Sequence, residues 1–183
     1  MTEFIAPPRS RAELRTIAYQ FRKKLNLDKQ VYFPVVEVLD AMACMLDDFS
    51  FEIVEDTDWK GSSHAYTDMS TGYIHIRQSV YDGACDGMGR DRMTITHELS
   101  HRILHYAQIY TLQRNFKHRE VKTYMDPEWQ AKCLAGEIMV PAHLLAGQSP
   151  LEIATLCGVS YDAAAMQYNK SVRLYRGGGQ IAC

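Results

Sequence analysis

The spacing of apolar residues changes period twice along this chain, and that order of changes limits the folds open to it. Leu14, Ala18, Phe21 and Leu25 recur at three- and four-residue intervals, which predicts a helix over Arg11–Leu25. Val35, Val38, Leu39, Met42 and Leu46 repeat the pattern over Pro34–Leu46, where Pro34 suits a first helical turn. Alternation then takes over, with Phe49, Phe51 and Ile53 between Ser50, Glu52 and Val54, and predicts a half-buried strand. His64–Asp68 and Tyr73–Arg77 predict a hairpin closed across Met69–Gly72, with Ile74 and Ile76 on the core face and His75 turned away. Asp82–Arg92 reads as a charged, glycine-containing connection. The helical period returns in Met93–Tyr106, through Ile95, Leu99, Ile103 and Leu104. It returns again in Pro127–Val140, opened by Asp126 as cap and ended by Pro141. Shorter helices are predicted over Pro150–Cys157 and Ser160–Leu174, on either side of Gly158. Ala107–Tyr124 shows no clean period and reads equally as an ordered loop, a lid or a broken helix. The expectation is an α+β fold, mostly helical, with a small antiparallel three-stranded sheet.

The chemistry is concentrated in Met93–Tyr106. His97-Glu98-Leu99-Ser100-His101 is an HExxH sequence, and positions four apart on a helix differ by about 40° in direction and about 6 Å in height. Both imidazoles can therefore reach one ion, with Glu98 beside them as a non-ligating acid. With only 7 histidines in the chain, a shuffled sequence would carry the pattern roughly once in a hundred trials. A water on zinc has its pKa lowered towards ~7, and a carboxylate next to it can take the proton as the water attacks a carbonyl. Catalytic zinc sites use three protein ligands, so one is missing. Leu104 and Ala107 stand where an extended pattern would place glycine and a third histidine. His105 is about 12 Å along the axis from His97 and is read as a residue that supports the site from behind or packs, rather than as a ligand. On the next helix, Glu128 falls at the edge of the stripe Ala131, Leu134, Ala135 and Ile138 and is expected to aim at the core. Glu137 falls on the opposite side and is expected to be a solvated charge. Glu128 is the preferred third ligand, with Asp126, better suited to a cap, and Glu120 as rivals.

Composition narrows the partners. A net charge of -2 and a pI near 6.4 argue against a surface built to neutralise phosphates, so direct nucleic-acid binding is not expected. The 5 cysteines are odd in number and form no CxxC, which suggests neither a disulfide framework nor a thiolate zinc site. No apolar run approaches the ~20 residues of a membrane span, and Met1–Ser10 lacks an apolar signal core. A reducing, cytoplasmic location is expected.

His97 to His105, read HELSHRILH, together with Glu128-x-x-Ala131-x-x-Leu134-Ala135-Gly136-Glu137-Ile138-Met139-Val140-Pro141, resembles the ImmA/IrrE metallopeptidase family, also called DUF955. The resemblance covers about Thr94 to Pro141. It implies a gluzincin-like fold with one zinc ion on His97, His101 and Glu128, and Glu98 as general acid/base. Three positions depart from the family pattern: Ser100 for glycine, Lys132 for asparagine and Leu134 for phenylalanine. Members are typically bacterial or phage cytoplasmic proteins that cleave, or bind and inactivate, a helix-turn-helix repressor or antitoxin. The resemblance thus implies a zinc endopeptidase of narrow range.

An extended substrate would add to a strand beside the zinc, either Tyr73–Arg77 or His64–Asp68. His64, Tyr66, His75, His118 and Tyr124 are each possible oxyanion donors, none preferred. The expected organisation is a metallopeptidase-like domain over 1–145, a helical hairpin packed on it over 146–176, and a flexible tail over 177–183. Ala154, Gly158, Val159 and Ala163 give Leu151–Leu174 a helix-turn-helix-like spacing. Its basic residues, Lys170 and Arg173, come late for a DNA contact, and a packing or docking hairpin is preferred. The competing function is a non-catalytic regulator, or a toxin-antitoxin component, that acts by binding protein or DNA.

Overall fold

A computed structural model describes residues 5–106 and 122–175. Among these, seven α-helices and three short strands follow in the order α1 (Arg11–Lys24), α2 (Val35–Met45), β1 (Phe51–Val54), β2 (Ala65–Thr67), β3 (Ile74–Arg77), α3 (Gln78–Cys85), α4 (Gly89–His105), α5 (Pro127–Met139), α6 (Pro150–Cys157) and α7 (Tyr161–Gln167). The α+β class holds. Seven residues of α7 are followed by a five-residue π-helical turn, Tyr168–Val172. The expected tail and most of Ala107–Tyr124 lie outside the described residues; at the end of that stretch Thr123–Met125 forms a single 3-10 turn.

The sheet corrects one expectation. Strand order is β1-β3-β2, with β2 antiparallel to β3 as the hairpin pattern predicts, but β1 parallel to β3. The long connection between β1 and β2 carries the chain past the central position. The hairpin then returns β3 into the gap alongside β1, so the sheet is mixed rather than antiparallel. Because β3 is paired on both edges, Tyr73–Arg77 has no free edge for a peptide, whereas among the described residues β2 keeps one.

Ala65, Ile74 and Ile76 face α3 and α4 and are buried. The opposite face carries a cross-strand row in which Glu52, His75 and Tyr66 are in register. There Tyr66 stacks on His75 at 4.6 Å, and His75 Nδ1 lies 3.1 Å from Glu52 Oε2.

A second difference is α3, which occupies the start of the expected connection and moves the beginning of α4 forward to Gly89. Gly83 in its last turn lowers helical propensity and hides the pattern, yet a side chain there would collide with the Asp91 carboxylate of α4. Gly89 is likewise a close approach, since a Cβ would come within 2.8 Å of the Val159 backbone.

Helix α5 lies between α1 and α4, and α7 also packs against it. Two buried arginines fix these layers through main-chain carbonyls instead of carboxylates. Arg22 of α1 donates to the carbonyls of Ile138 (2.7 Å), Gln30 and Val31. Arg92 of α4 donates to those of Phe33 (2.8 Å), Cys157 (3.1 Å) and Gly158, with Tyr32 stacked over its guanidinium. The second set anchors α4 little more than one turn before His97.

Candidate metal centre

Helix α4 presents His97 and His101 on one face, with ring centroids 4.7 Å apart. Its opposite side is fastened to the core by Ile95 and Leu99. Ser100, where the family pattern has glycine, is fully buried and donates to the Thr96 carbonyl at 2.7 Å, which lets a small polar residue sit inside without an unmet donor. Thr96 Oγ1 lies 3.3 Å from Met139 Sδ, so these short side chains bring α4 and α5 close together.

The start of α5 sets the third group. Asp126 is its N-cap and accepts from the Glu128 backbone N–H at 3.0 Å, and Pro127 occupies the first turn. Asp126 is therefore a cap, and Glu128 stands in the first helical turn, where a helix favours negative charge. Its carboxylate bridges the imidazoles: Oε2 lies 3.3 Å from His97 Nε2 and Oε1 lies 3.2 Å from His101 Nε2, while the two Nε2 atoms are 3.1 Å apart. Two nitrogens and a carboxylate at these separations are of the size and chemistry that a small divalent metal ion needs, since bonds of about 2.0–2.1 Å in tetrahedral geometry separate donors by about 3.3–3.4 Å. Among the described residues, these three form a group able to hold a metal, with all ligand atoms within 4.8 Å of one another. Hydrogen bonds from His101 first and His97 second hold the Glu128 carboxyl well below the usual carboxylate range.

Two expectations about acids on α5 change. Glu128 reaches the imidazoles, but its side chain is 73% exposed rather than aimed at the core. It stands at the open end of the helix, above the packed stripe. Glu137, expected to be solvated, has a fully buried side chain and pairs with Arg11 and Arg15 of α1, each at 3.1 Å, and with the Ser171 hydroxyl. The helix is covered on that side too, by α1 and the C-terminal segment, so the side opposite the apolar stripe is also interior. Glu120 lies outside the described residues.

Glu98 follows His97 and turns toward the sheet. Thr67 Oγ1 lies 2.9 Å from both Glu98 Oε2 and the Glu98 carbonyl, so the hydroxyl can donate to either. The other end of β2 meets the same helix, where Arg90 Nη2 lies 2.8 Å from His64 Nε2. Three strand residues span about 10 Å and eight helical residues about 12 Å, so β2 runs alongside α4 in the same direction. Sequence reasoning gave no sign of Thr67 or Arg90, because neither belongs to a spaced motif.

His105 is buried one turn beyond His101, 5.5 Å away ring to ring, and its Nε2 has no partner among the described residues. It stays outside the three-residue group and is buried against His101. Of the possible oxyanion donors, His75 and Tyr66 lie on the outer face of the sheet, His64 contacts Arg90, and Tyr124 has Lys122 over its ring. His118 lies outside the described residues. A cleft of about 700 Å³ opens beside His97 and Glu128 and runs between α4 and α5 toward Ser160 and Ala163.

The model of the family Peptidase_M78, described as an IrrE N-terminal-like domain, matches residues 47–169. A solved structure of a Mycobacterium tuberculosis transcriptional regulator superposes with a TM-score of 0.58 at 13% identity, over 91% of this chain and 49% of that one. The likeness is one of fold, and the chain spans about half the length of that regulator. No curated protein matches the chain.

Proposed function

The chain belongs to the IrrE N-terminal-like family, Peptidase_M78, and from that premise we propose that it is a zinc-dependent endopeptidase acting on a protein of narrow range. The observation that carries the proposal is the meeting of His97, His101 and Glu128 within the family-matched segment, with Glu98 next to His97 in the chain and bonded to Thr67. When bound, zinc supplies Lewis acidity and a water acidified to about neutral pH.

The rest falls to the chain. Glu98 takes the proton of the attacking water and returns it to the leaving amine. Thr67 holds one carboxylate oxygen and can pass its hydrogen bond to the Glu98 carbonyl when that oxygen is needed. The free edge of β2 holds an extended peptide by main-chain hydrogen bonds, which fixes the register of the bond to be cut. In the family the partner is a helix-turn-helix repressor or antitoxin, and we extend that class of substrate to this chain.

Fold likeness to a transcriptional regulator favours one second reading, a regulator that acts by binding alone. Against its DNA-binding form, α7 begins Tyr161-Asp162-Ala163 and offers no base-contacting cation in its first turn.

The deciding experiment is Glu98→Gln. The variant should keep about one zinc per chain and lose at least a hundredfold in cleavage of a co-expressed repressor partner, followed by mass spectrometry of fragments. Equal cleavage by variant and wild type rejects the assigned acid/base. Salt-sensitive binding to duplex DNA by the chain alone supports the second reading.

A further inference from the structure

We propose that the cleft beside the metal centre selects a substrate with an acidic side chain, glutamate above all, two or three residues to the C-terminal side of the cleaved bond. The inference rests on the peptidase reading and deepens it.

The cleft is walled by Met93, Trp129, Ala135 and Ala163 and carries two cations, Arg90 and Lys132. Among the described residues neither cation has a carboxylate within ion-pair distance, whereas Arg11, Arg15, Arg77 and Arg102 each do. Two carboxylates also line the cleft, and both are committed elsewhere: Asp126 caps α5 and Glu128 bridges the imidazoles. Arg90 is held in place by His64, just before β2, so its guanidinium stands where the strand edge meets the cleft.

Direction follows from the strand. A peptide paired antiparallel to β2 runs from the Thr67 end to the His64 end, so the part after the cut heads for Arg90. Arg90 precedes His97 by seven helical residues, about 10 Å, which an extended peptide covers in about three residues. Apolar walls with a cationic rim suit a side chain with methylenes below and a carboxylate at its tip.

The test uses fluorescence of Trp129, isolated by Trp59→Phe in a chain with 2 tryptophans, in zinc-loaded protein that also carries Glu98→Gln to prevent turnover. The probes are acetylated, amidated alanine-based hexapeptides that bear a single Glu, Gln or Lys. The Glu peptide should bind about tenfold tighter than the Gln peptide, with the Lys peptide weakest. Arg90→Glu with Lys132→Glu should invert that order, and the milder Arg90→Gln with Lys132→Gln should level it. Equal affinities, an order untouched by both pairs of substitutions, or no binding by any of the three peptides overturns the proposal. Zinc binding and cleavage by wild type with equal peptide affinities sinks only the selectivity. Absence of cleavage by the zinc-loaded wild type, with the peptide order intact, sinks the peptidase reading and leaves an acidic-peptide site.

Discussion

Glu128 and Glu137 stand nine residues apart on α5, and the same carboxylate meets opposite surroundings at the two ends. At Glu137 the helix is enclosed, and the acid faces Arg11, Arg15 and Ser171, which use both its oxygens. That end is a staple, joining α1 and the C-terminal turn to the centre of the fold. At Glu128 the helix opens, and the acid is exposed with each oxygen turned to a different imidazole. Burial therefore does not mark the acid proposed as the metal ligand. What marks it is convergence: its two oxygens and two imidazole nitrogens 3.1 Å apart come together at one exposed point, as the ligands of a shared cation must.

The strongest way to break this comparison is to remove the exposed acid. Glu128→Ala should lower zinc affinity by about a hundredfold to a thousandfold, one ligand's share of the ~10–16 kcal/mol that a four-ligand zinc site provides. Metal-free stability should change by no more than about 1 kcal/mol, because the side chain is exposed and its contacts with the imidazoles and the helix end are screened by solvent. Zinc titration against a competing chelator, paired with urea denaturation of the apo chain, reads both. Undiminished zinc affinity rules out Glu128 as the third ligand.

Glu137→Ala should show the reverse. It leaves two partly buried guanidinium groups without a counter-ion, a loss of about 3 kcal/mol in unfolding free energy, while zinc bound per folded chain stays the same. A loss under 1 kcal/mol would mean the staple is not one.

The sequence carried the parts of this picture that depend on local spacing. The pair His97 and His101, the cap at Asp126 and the bounds of α1, α5 and α6 follow from periodicity within one or two turns. It could not carry features decided by what packs across from a residue. Glu137 lay opposite the apolar stripe, and only the presence of α1 and Ser171 against that side turns it inward. The parallel pairing of β1 depends on a connection whose path no periodicity records. Helix α3 was hidden by Gly83, which serves contact with Asp91 at the cost of helical propensity. Thr67 reaches α4 from a strand, and Arg90 reaches His64 from the first turn of α4, so the spacing within the HExxH motif could not announce either.

A smaller effect separates the ends by pH. Burial first, and the neighbouring His101 second, push the His105 imidazole down to about 4 from its usual 6.5. The unfolded chain then binds a proton that the folded chain refuses. Stability is full above pH 6.5 and is lost as pH falls toward 4, by up to about 2–3 kcal/mol in the metal-free protein. His105→Gln should flatten that slope in urea denaturation at pH 7.5, 5.5 and 4.5. A slope equal to wild type would assign the acid sensitivity to other groups.

The least perturbing test puts a reporter between the two acids. Cys133 lies on α5, buried, and burial pushes its thiol up to about 11. In the folded wild type it should resist alkylation at pH 8, as should buried Cys157, while exposed Cys44 reacts. Modification of Cys133 then measures local opening of the helix, since the thiolate must form and the reagent must reach it. Glu137→Gln keeps the shape of the staple and weakens its charge, and should raise the Cys133 rate by several-fold. Glu128→Gln should leave the rate unchanged, because nothing that covers the thiol depends on the open end. Equal acceleration by both variants would mean that α5 opens as one unit, with its exposed acid as much a part of the scaffold as its buried one.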